Sequence, residues 1–282
     1  MILRLALMLA VSLCAEIALA APAAVPPPHP KRIVSLNPCV DAILMQVADP
    51  AQIAAISHYS HDPRATSIPL AQAMRFAVTS GTAEEVVGKR PDLVFAGQHV
   101  ALPTILALQR LGVPLVKLNV PESIAESRAQ IAAIAQAVGA PVRGARLNAA
   151  IDSAVQRAES RDGRLVPALI WQGGGMVPGA GTLADELLRR TGFRNMSAVY
   201  GLKKWDVLPL EYLLAQPPAV LFSVGGKDAR QDRMLSHPVM QRLSRQIAVT
   251  PYPSRLLHCA GPTIIDAVGQ LAQSRLGKRV GS

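Results

Sequence analysis

One pattern occurs twice in this chain. Glu84 to Phe95 reads EEVVGKRPDLVF, and Glu211 to Phe222 reads EYLLAQPPAVLF. In each copy a glutamate opens a short apolar-rich stretch, a proline follows seven residues on (Pro91, Pro218), and a hydrophobic run closes the unit. An acid at a helix start gains from the positive end of the helix dipole. Proline cannot continue that helix, and it biases the residue before it toward extended backbone, so the turn falls there. Asp92-Leu93-Val94-Phe95 and Ala219-Val220-Leu221-Phe222 then read as strands buried on both faces, as parallel strands are. Two matching helix–strand units far apart in the chain predict two similar α/β lobes, and two lobes predict a cleft. The plainer alternative is chance repetition, since any α/β protein alternates helix, proline and strand.

The rest of the chain keeps this rhythm. Arg32 to Leu36 reads as a first strand, broken at Asn37-Pro38, and Val40 to Val47 as a helix. Gln52 to Ile56 is a second strand, followed by the polar loop from Ser57 to Pro63. Pro103 to Leu111 reads as helix and Pro114 to Leu118 as strand. Such alternation marks a parallel α/β layer.

Pro121 to Val138 is punctuated differently. Pro121 suits a first helical turn, Ser123 and Glu126 have capping-box spacing, and Ile124, Ile131, Ile134 and Val138 form one apolar stripe. Gly139 and Pro141 end it. At 1.5 Å per residue the helix is roughly 25 Å long, enough to cross between lobes. An ordinary crossover helix is the alternative. Val142 to Ser160 continues as a second helix. Beyond it come the strand Leu165 to Trp171, a glycine-dense loop from Gln172 to Gly181, the Thr182-capped helix Leu183 to Arg190, a late strand from Gln246 to Thr250 and a closing helix from Thr263 to Arg275.

Composition narrows the class. With 282 residues, half of them hydrophobic, the chain can bury a large core. Aromatics are only 4%, too few for the stacking platforms of single-strand nucleic-acid binders. Arg4, the apolar run Leu5 to Leu13 and the small-x-small site Ala18-Leu19-Ala20 read as a secretory signal cleaved near Ala20. Cys14 follows Leu13 where a lipobox wants a small residue, which disfavours a lipid anchor. No other stretch is apolar and long enough to span a bilayer. Cleavage removes one Arg and one Glu, so the net charge of +10 is kept. A basic exported protein attracts anionic ligands or surfaces, and a generally basic surface without a specific partner is the bland reading. Cys39 and Cys259 remain after cleavage. The oxidising compartment permits a disulfide between them, but spacing alone cannot bring them together.

These residues resemble a known family. The signal segment followed by Arg32-Ile33-Val34-Ser35-Leu36-Asn37-Pro38, then Lys89-Arg90-Pro91-Asp92-Leu93-Val94, then the lone helix and a second α/β half, is similar to the periplasmic substrate-binding proteins of ABC importers for metal chelates. That family includes binders of vitamin B12, haem and ferric siderophores. The resemblance implies two Rossmann-like α/β lobes joined by one long rigid helix, with the ligand in the cleft between them. It implies a signal peptide at 1–20, a proline-rich leader at 21–31, an N-terminal lobe at 32–120, the bridging helix at 121–139, a C-terminal lobe at 140–276 and a tail at 277–282. It further implies a periplasmic monomer that binds without catalysis or resident cofactor and binds no nucleic acid. Its partners would be a metal-chelate small molecule and the permease subunits. Family members dock with one glutamate per lobe, and Glu84 and Glu211 fall at the matching places, with Glu85 as a substitute for Glu84. Each acid is otherwise a helix-start residue.

Ligand-facing positions in such an architecture lie on loops after strands. They are Asn37, Pro38, Cys39, His58, Tyr59, His99, Trp171, Gln172, Trp205, His258 and Cys259. Trp205 falls where B12-binding members have a cleft tryptophan. Flat macrocycles suit Trp and Tyr faces; His58, Tyr59 and His61 are donors that iron accepts. Each residue alone is as readily ordinary loop or packing. Two separately buried thiols are the plainer reading of Cys39 and Cys259, with a bond across the cleft or contact with a metal centre as alternatives. Arg194, Lys203 and Lys204 would suit an anionic siderophore, and aromatics a corrinoid, so cobalamin and iron chelates stay level. An exported hydrolase using the cleft as its active site is the rival class. The chain lacks Gly-x-Ser-x-Gly, His-Glu-x-x-His and a Gly-Lys-Ser/Thr phosphate loop.

Overall fold

The structure, a computed structural model, describes residues 25–161, 163–224 and 246–279. The signal segment and the last three residues of the tail lie outside the described residues. Two parallel sheets carry the chain. The first holds β1 (Ile33–Ser35), β2 (Ile53–Ser57), β3 (Val78–Thr79), β4 (Leu93–Gly97) and β5 (Leu115–Leu118), in the order β3-β2-β1-β4-β5. The second holds β6 (Val166–Trp171), β8 (Phe193–Asn195), β10 (Val220–Val224) and β11 (Ala248–Tyr252), in the order β11-β10-β6-β8. All pairings within both sheets are parallel. A small antiparallel ribbon joins β7 (Met176–Pro178) to β9 (Trp205–Val207). In the first sheet the strand order reverses between β1 and β4. In open α/β sheets such a switch point opens a crevice at the strands' carboxyl ends.

The repeated pattern becomes two equivalent units. α3 (Ala83–Gly88) leads into β4, and α9 (Leu210–Ala215) leads into β10. Their strands are buried on both faces and alternate between two environments. Leu93 and Phe95, like Val220 and Phe222, face one large core that runs through both lobes. Val94 and Leu221, at matching positions, face separate smaller cores on the outer sides.

The two family-like segments clamp each other. The Asp92 carboxylate accepts from the backbone amides of Lys31 and Arg32 at 2.7 and 2.8 Å. The Arg32 guanidinium donates to the carbonyls of Lys89 and Arg90, orphan acceptors at the end of α3. Asn37 ends β1 and caps α1 (Pro38–Val47), its Oδ1 accepting from the amide of Cys39 at 2.8 Å.

Between the sheets the chain passes through α5 (Ile124–Ala137), and α6 (Pro141–Ala158) folds back on it. The helix starts later than the sequence suggests. Ser123 is its cap, accepting from the Glu126 amide at 3.1 Å, so Pro121 stands outside the first turn. Glu126 bonds the Glu122 amide rather than that of Ser123, so the expected capping box is only half formed. Gly144 permits the close approach of α6, because a Cβ there would sit 2.4 Å from that of Ala135. The proline-rich leader is anchored at its end: Pro30 accepts from Gln52 Nε2 at 2.8 Å, and His29 lies against Gly139.

Candidate functional site

The loops that follow β1, β2 and β4 meet residues of the second lobe around a continuous depression. Its interlobe part, about 360 Å³, is bounded by Asn37, Cys39, Gln98, His99 and Glu122 on one side and by Trp205, Leu257, His258 and Cys259 on the other. It opens into a groove of about 840 Å³ along the first lobe, lined by Pro38, His58, Tyr59, Gly81, Glu84 and Val100. Asn37, Cys39, His99, Val120 and His258 border both parts.

The floor is covalent. Cys39 and Cys259 form a disulfide with Cα atoms 5.1 Å apart. The expectation of two separate thiols is thereby corrected, and so is metal contact, since neither sulfur is a free thiolate. Cys39 sits in the first turn of α1, which the Asn37 cap places at the cleft. Cys259 follows the single turn Arg255–His258, which ends beside it. Further ties reinforce this junction. Ser127 Oγ of α5 accepts from the Gly261 amide at 2.9 Å, and Ser67 Oγ donates to the Arg255 carbonyl at 3.1 Å. At the start of α5, Glu186 Oε2 accepts from the Ile124 amide at 2.9 Å, and Lys204 pairs with Glu122.

The aromatic and imidazole groups around the depression have distinct states. His58 Nδ1 lies 3.2 Å from the Thr79 carbonyl and donates to it. Its ring packs against that of Tyr59 at a 35° tilt, with centroids 4.1 Å apart. Partial desolvation pushes the His258 pKa below its ordinary value, while the residue keeps an exposed face. Trp205, on β9, is 41% exposed.

Trp171 is a correction. Its side chain is fully buried with Leu169, Val177, Met196 and Leu208, because alternation along β6 turns 169 and 171 outward, away from the junction. Gln172 borders neither part of the depression. His61 is turned aside, its Nε2 3.0 Å from the Ala73 carbonyl. Lys204 is engaged by Glu122, while Arg194 is exposed on β8. The glycine-dense loop packs against its own lobe. Gly179 approaches the 202–204 backbone so closely that a Cβ would meet the Leu202 carbonyl oxygen at 2.5 Å, and the loop becomes the β7–β9 ribbon. Gln98 borders the cleft beside His99, as its loop after β4 leads one to expect, and Leu183 and the Leu118–Glu122 stretch border it unexpectedly. Their only sequence signal is their position after β4, after β5 and at the start of a helix.

The two acids differ in surroundings. Glu84 is exposed in the first turn of α3, and its carboxylate makes no hydrogen bond among the described residues. Glu85 is engaged: Oε2 accepts from the Ser80 amide at 2.7 Å and from Thr79 Oγ1 at 3.0 Å. Glu211 is exposed in the first turn of α9. Among the described residues no helix is long and apolar enough to cross a membrane, and no group of three or more His, Cys, Asp or Glu converges as a metal-ion site.

Two parallel α/β lobes that wall a cleft bordered by rings and amides define a solute-binding protein. The periplasmic binding protein family matches residues 33–245, and the chain belongs to that family. Proteins of this family and fold are substrate-binding proteins rather than enzymes. A cobalamin-binding protein of Halobacterium salinarum is 26% identical over 206 residues, covering 68% of this chain and 53% of the relative. The chain thus spans about half the length of the curated relatives it matches. Among solved structures, the apo periplasmic heme-binding protein RhuT from Roseiflexus sp. RS-1 is similar at a TM-score of 0.68 and 23% identity, over 86% of this chain and 97% of that one. The periplasmic vitamin B12 binding protein BtuF of Vibrio cholerae is similar at 0.66 and 19%, over 86% and 96%.

Proposed function

We propose that this protein is a periplasmic receptor that takes a metal chelate into the interlobe cleft and delivers it to an ABC importer. The observation that carries this reading is the ring set around one continuous depression: His58 packed against Tyr59, with His99, Trp205 and His258. Aromatic rings suit the face of a macrocycle, and an imidazole or phenol would suit its metal. Because no three His, Cys, Asp or Glu side chains converge among the described residues, the site fits a metal whose other positions are already filled by its own chelator. An iron macrocycle of the haem kind is therefore our first candidate. Cobalamin is the second, supported by the Halobacterium relative. Ferric siderophores come third, because Lys204, one of the expected cations, is engaged by Glu122.

In this reading the segment 1–20 directs export and is removed near Ala20, and the receptor acts as a monomer. Lobes 32–120 and 140–276 flank the α5 bridge. Glu84 and Glu211, at matching places on the two lobes, meet arginines of the permease and fix its orientation. Glu84 also borders the groove, so docking and cargo share an edge.

The test is titration of the mature chain with hemin, cyanocobalamin and a panel of ferric siderophores, read by Trp fluorescence and metal-chelate absorbance. One-to-one binding of a chelate without turnover is expected. Turnover, or no binding of any of them, overturns the reading.

A further inference from the structure

Beneath the His58–Tyr59 turn lies a carboxyl group that does not border the cleft. Asp41, on α1, is fully buried. Its Oδ2 accepts from the Ser57 amide at 3.0 Å and from the Ser60 hydroxyl at 2.6 Å. The Ser35 side chain also acts on this carboxyl, and Oδ1 is buried without a hydrogen bond of good geometry. An ionisable group in such a place is costly to keep, and an apolar residue would pack α1 against the sheet at less cost.

The two groups that Asp41 grips flank the ring pair. Ser57 ends β2 immediately before His58, and Ser60 follows Tyr59 within the one-turn helix His58–His61. A single turn of this kind does not sustain itself. Other bonds also tether it: Ser57 pairs with Thr79 in the sheet and its Oγ accepts from the Tyr59 amide at 3.4 Å, while His58 meets the Thr79 carbonyl and His61 the Ala73 carbonyl. Tyr59 itself is 52% exposed. One buried oxygen therefore holds both ends of the segment that presents two rings to the groove.

We propose that Asp41 is a positioning residue, whose carboxyl acts through Ser57 and Ser60 to set the direction in which His58 and Tyr59 face the cleft. The proposal rests on reading the cleft as the ligand site and names what fixes two of its contacts.

The test uses the mature chain as wild type, Asp41→Asn and Asp41→Ala. Amide hydrogen exchange is measured without ligand, then hemin and cyanocobalamin are titrated. Asparagine keeps a carbonyl oxygen able to accept both bonds; alanine keeps none. In Asp41→Ala, exchange across 57–61 should accelerate about tenfold, as for loss of roughly one net hydrogen bond, with the second sheet unchanged. Affinity for the chelate that wild type binds should fall by about the same factor. Asp41→Asn should stay close to wild type in both. If Asp41→Ala does not fold, Ser60→Ala cuts one of the two grips and is read the same way. Unchanged exchange at 57–61 overturns the proposal. So does acceleration spread evenly over the first sheet, an Asp41→Asn that behaves as Asp41→Ala, or faster exchange with undiminished affinity. If no variant binds either chelate while the exchange pattern holds, the chelate reading fails and the positioning role stands.

Discussion

Cys39 and Cys259 are 220 residues apart in the chain, and their disulfide joins the first turn of α1 to the far lobe at the floor of the cleft. This staple lies beside the hydrogen bonds of Ser67 and Ser127 that cross the same junction. The lobes are thus held at one edge by a covalent bond as well as by α5. Large hinge opening, of the kind seen where several strands cross between domains, is excluded at this edge while the bond is intact.

The staple has a measurable worth. Replacing both cysteines by serine should lower stability by about 2–5 kcal/mol, the range for removing a native disulfide. Differential scanning calorimetry of oxidised protein against the Cys39→Ser/Cys259→Ser variant reads this. Thiol titration of the denatured mature chain should find no free thiol; two reactive thiols in native protein would contradict the bond.

The inner core has an aromatic centre. Phe222 meets Phe193 edge-on at 5.3 Å and Tyr252 at 5.8 Å, and all three are buried. Phe222→Ala should cost about 3–5 kcal/mol and loosen the second lobe first. Denaturant unfolding followed in parallel with Trp fluorescence would show it. A loss below about 1 kcal/mol would mean that the site collapses without a cavity.

Glu84, Glu85 and Glu211 should separate in experiment. The double variant Glu84→Ala/Glu211→Ala is expected to keep chelate affinity within about threefold and to abolish uptake in cells, since such pairs set orientation more than affinity. A loss of affinity instead would assign Glu84 to the cargo, as its place at the groove edge allows. Glu85→Ala should act on folding. The Ser80 amide, then the Ser80 and Thr79 hydroxyls, hold the Glu85 pKa below the ordinary glutamate value. Its contribution is therefore present above the unfolded-state pKa and fades as pH falls through the lower folded one. Melting curves between pH 6 and pH 3, compared with Glu85→Gln, check that sign.

Asp41 has the opposite sign. Burial raises its pKa to about 7 against the hydrogen bonds from serines, which pull it down. Between the ordinary value of 3.8 and about 7 the folded chain holds a proton that the unfolded chain has lost. Stability should accordingly fall as pH rises through that window and level off above it. Asp41→Asn should remove this part of the slope. Melting temperatures at pH 5 and pH 8 for the two proteins test it; equal slopes would show that Asp41 does not titrate there.

Some of the site was legible because it follows from strand ends. Asn37, His58 and His99 come directly after strands whose limits the apolar runs and prolines mark, and a switch point places such loops at a crevice. Trp171 was misassigned at the same kind of place. Strand alternation decides which way its ring turns, and the register that sets that alternation comes from pairing with β10. The ribbon from β7 to β9 was likewise hidden, since the glycine-dense stretch reads as a plain loop until the 202–204 backbone is laid against Gly179.

Local chemistry by itself determined the alternating helices and strands, the doubled unit around Glu84 and Glu211, the existence of the helix that carries Ile124, Ile131 and Ile134 and the family to which the motifs belong. Those follow from periodicity, caps and prolines, which act over a few residues. Only the tertiary structure decided that Cys39 meets Cys259, that Trp171 is core while Trp205 borders the cleft, and that Asp41 lies under the ring pair. Such facts depend on contacts between segments distant in the chain. Those contacts are set by how two sheets and their helices pack, and no local pattern carries that information.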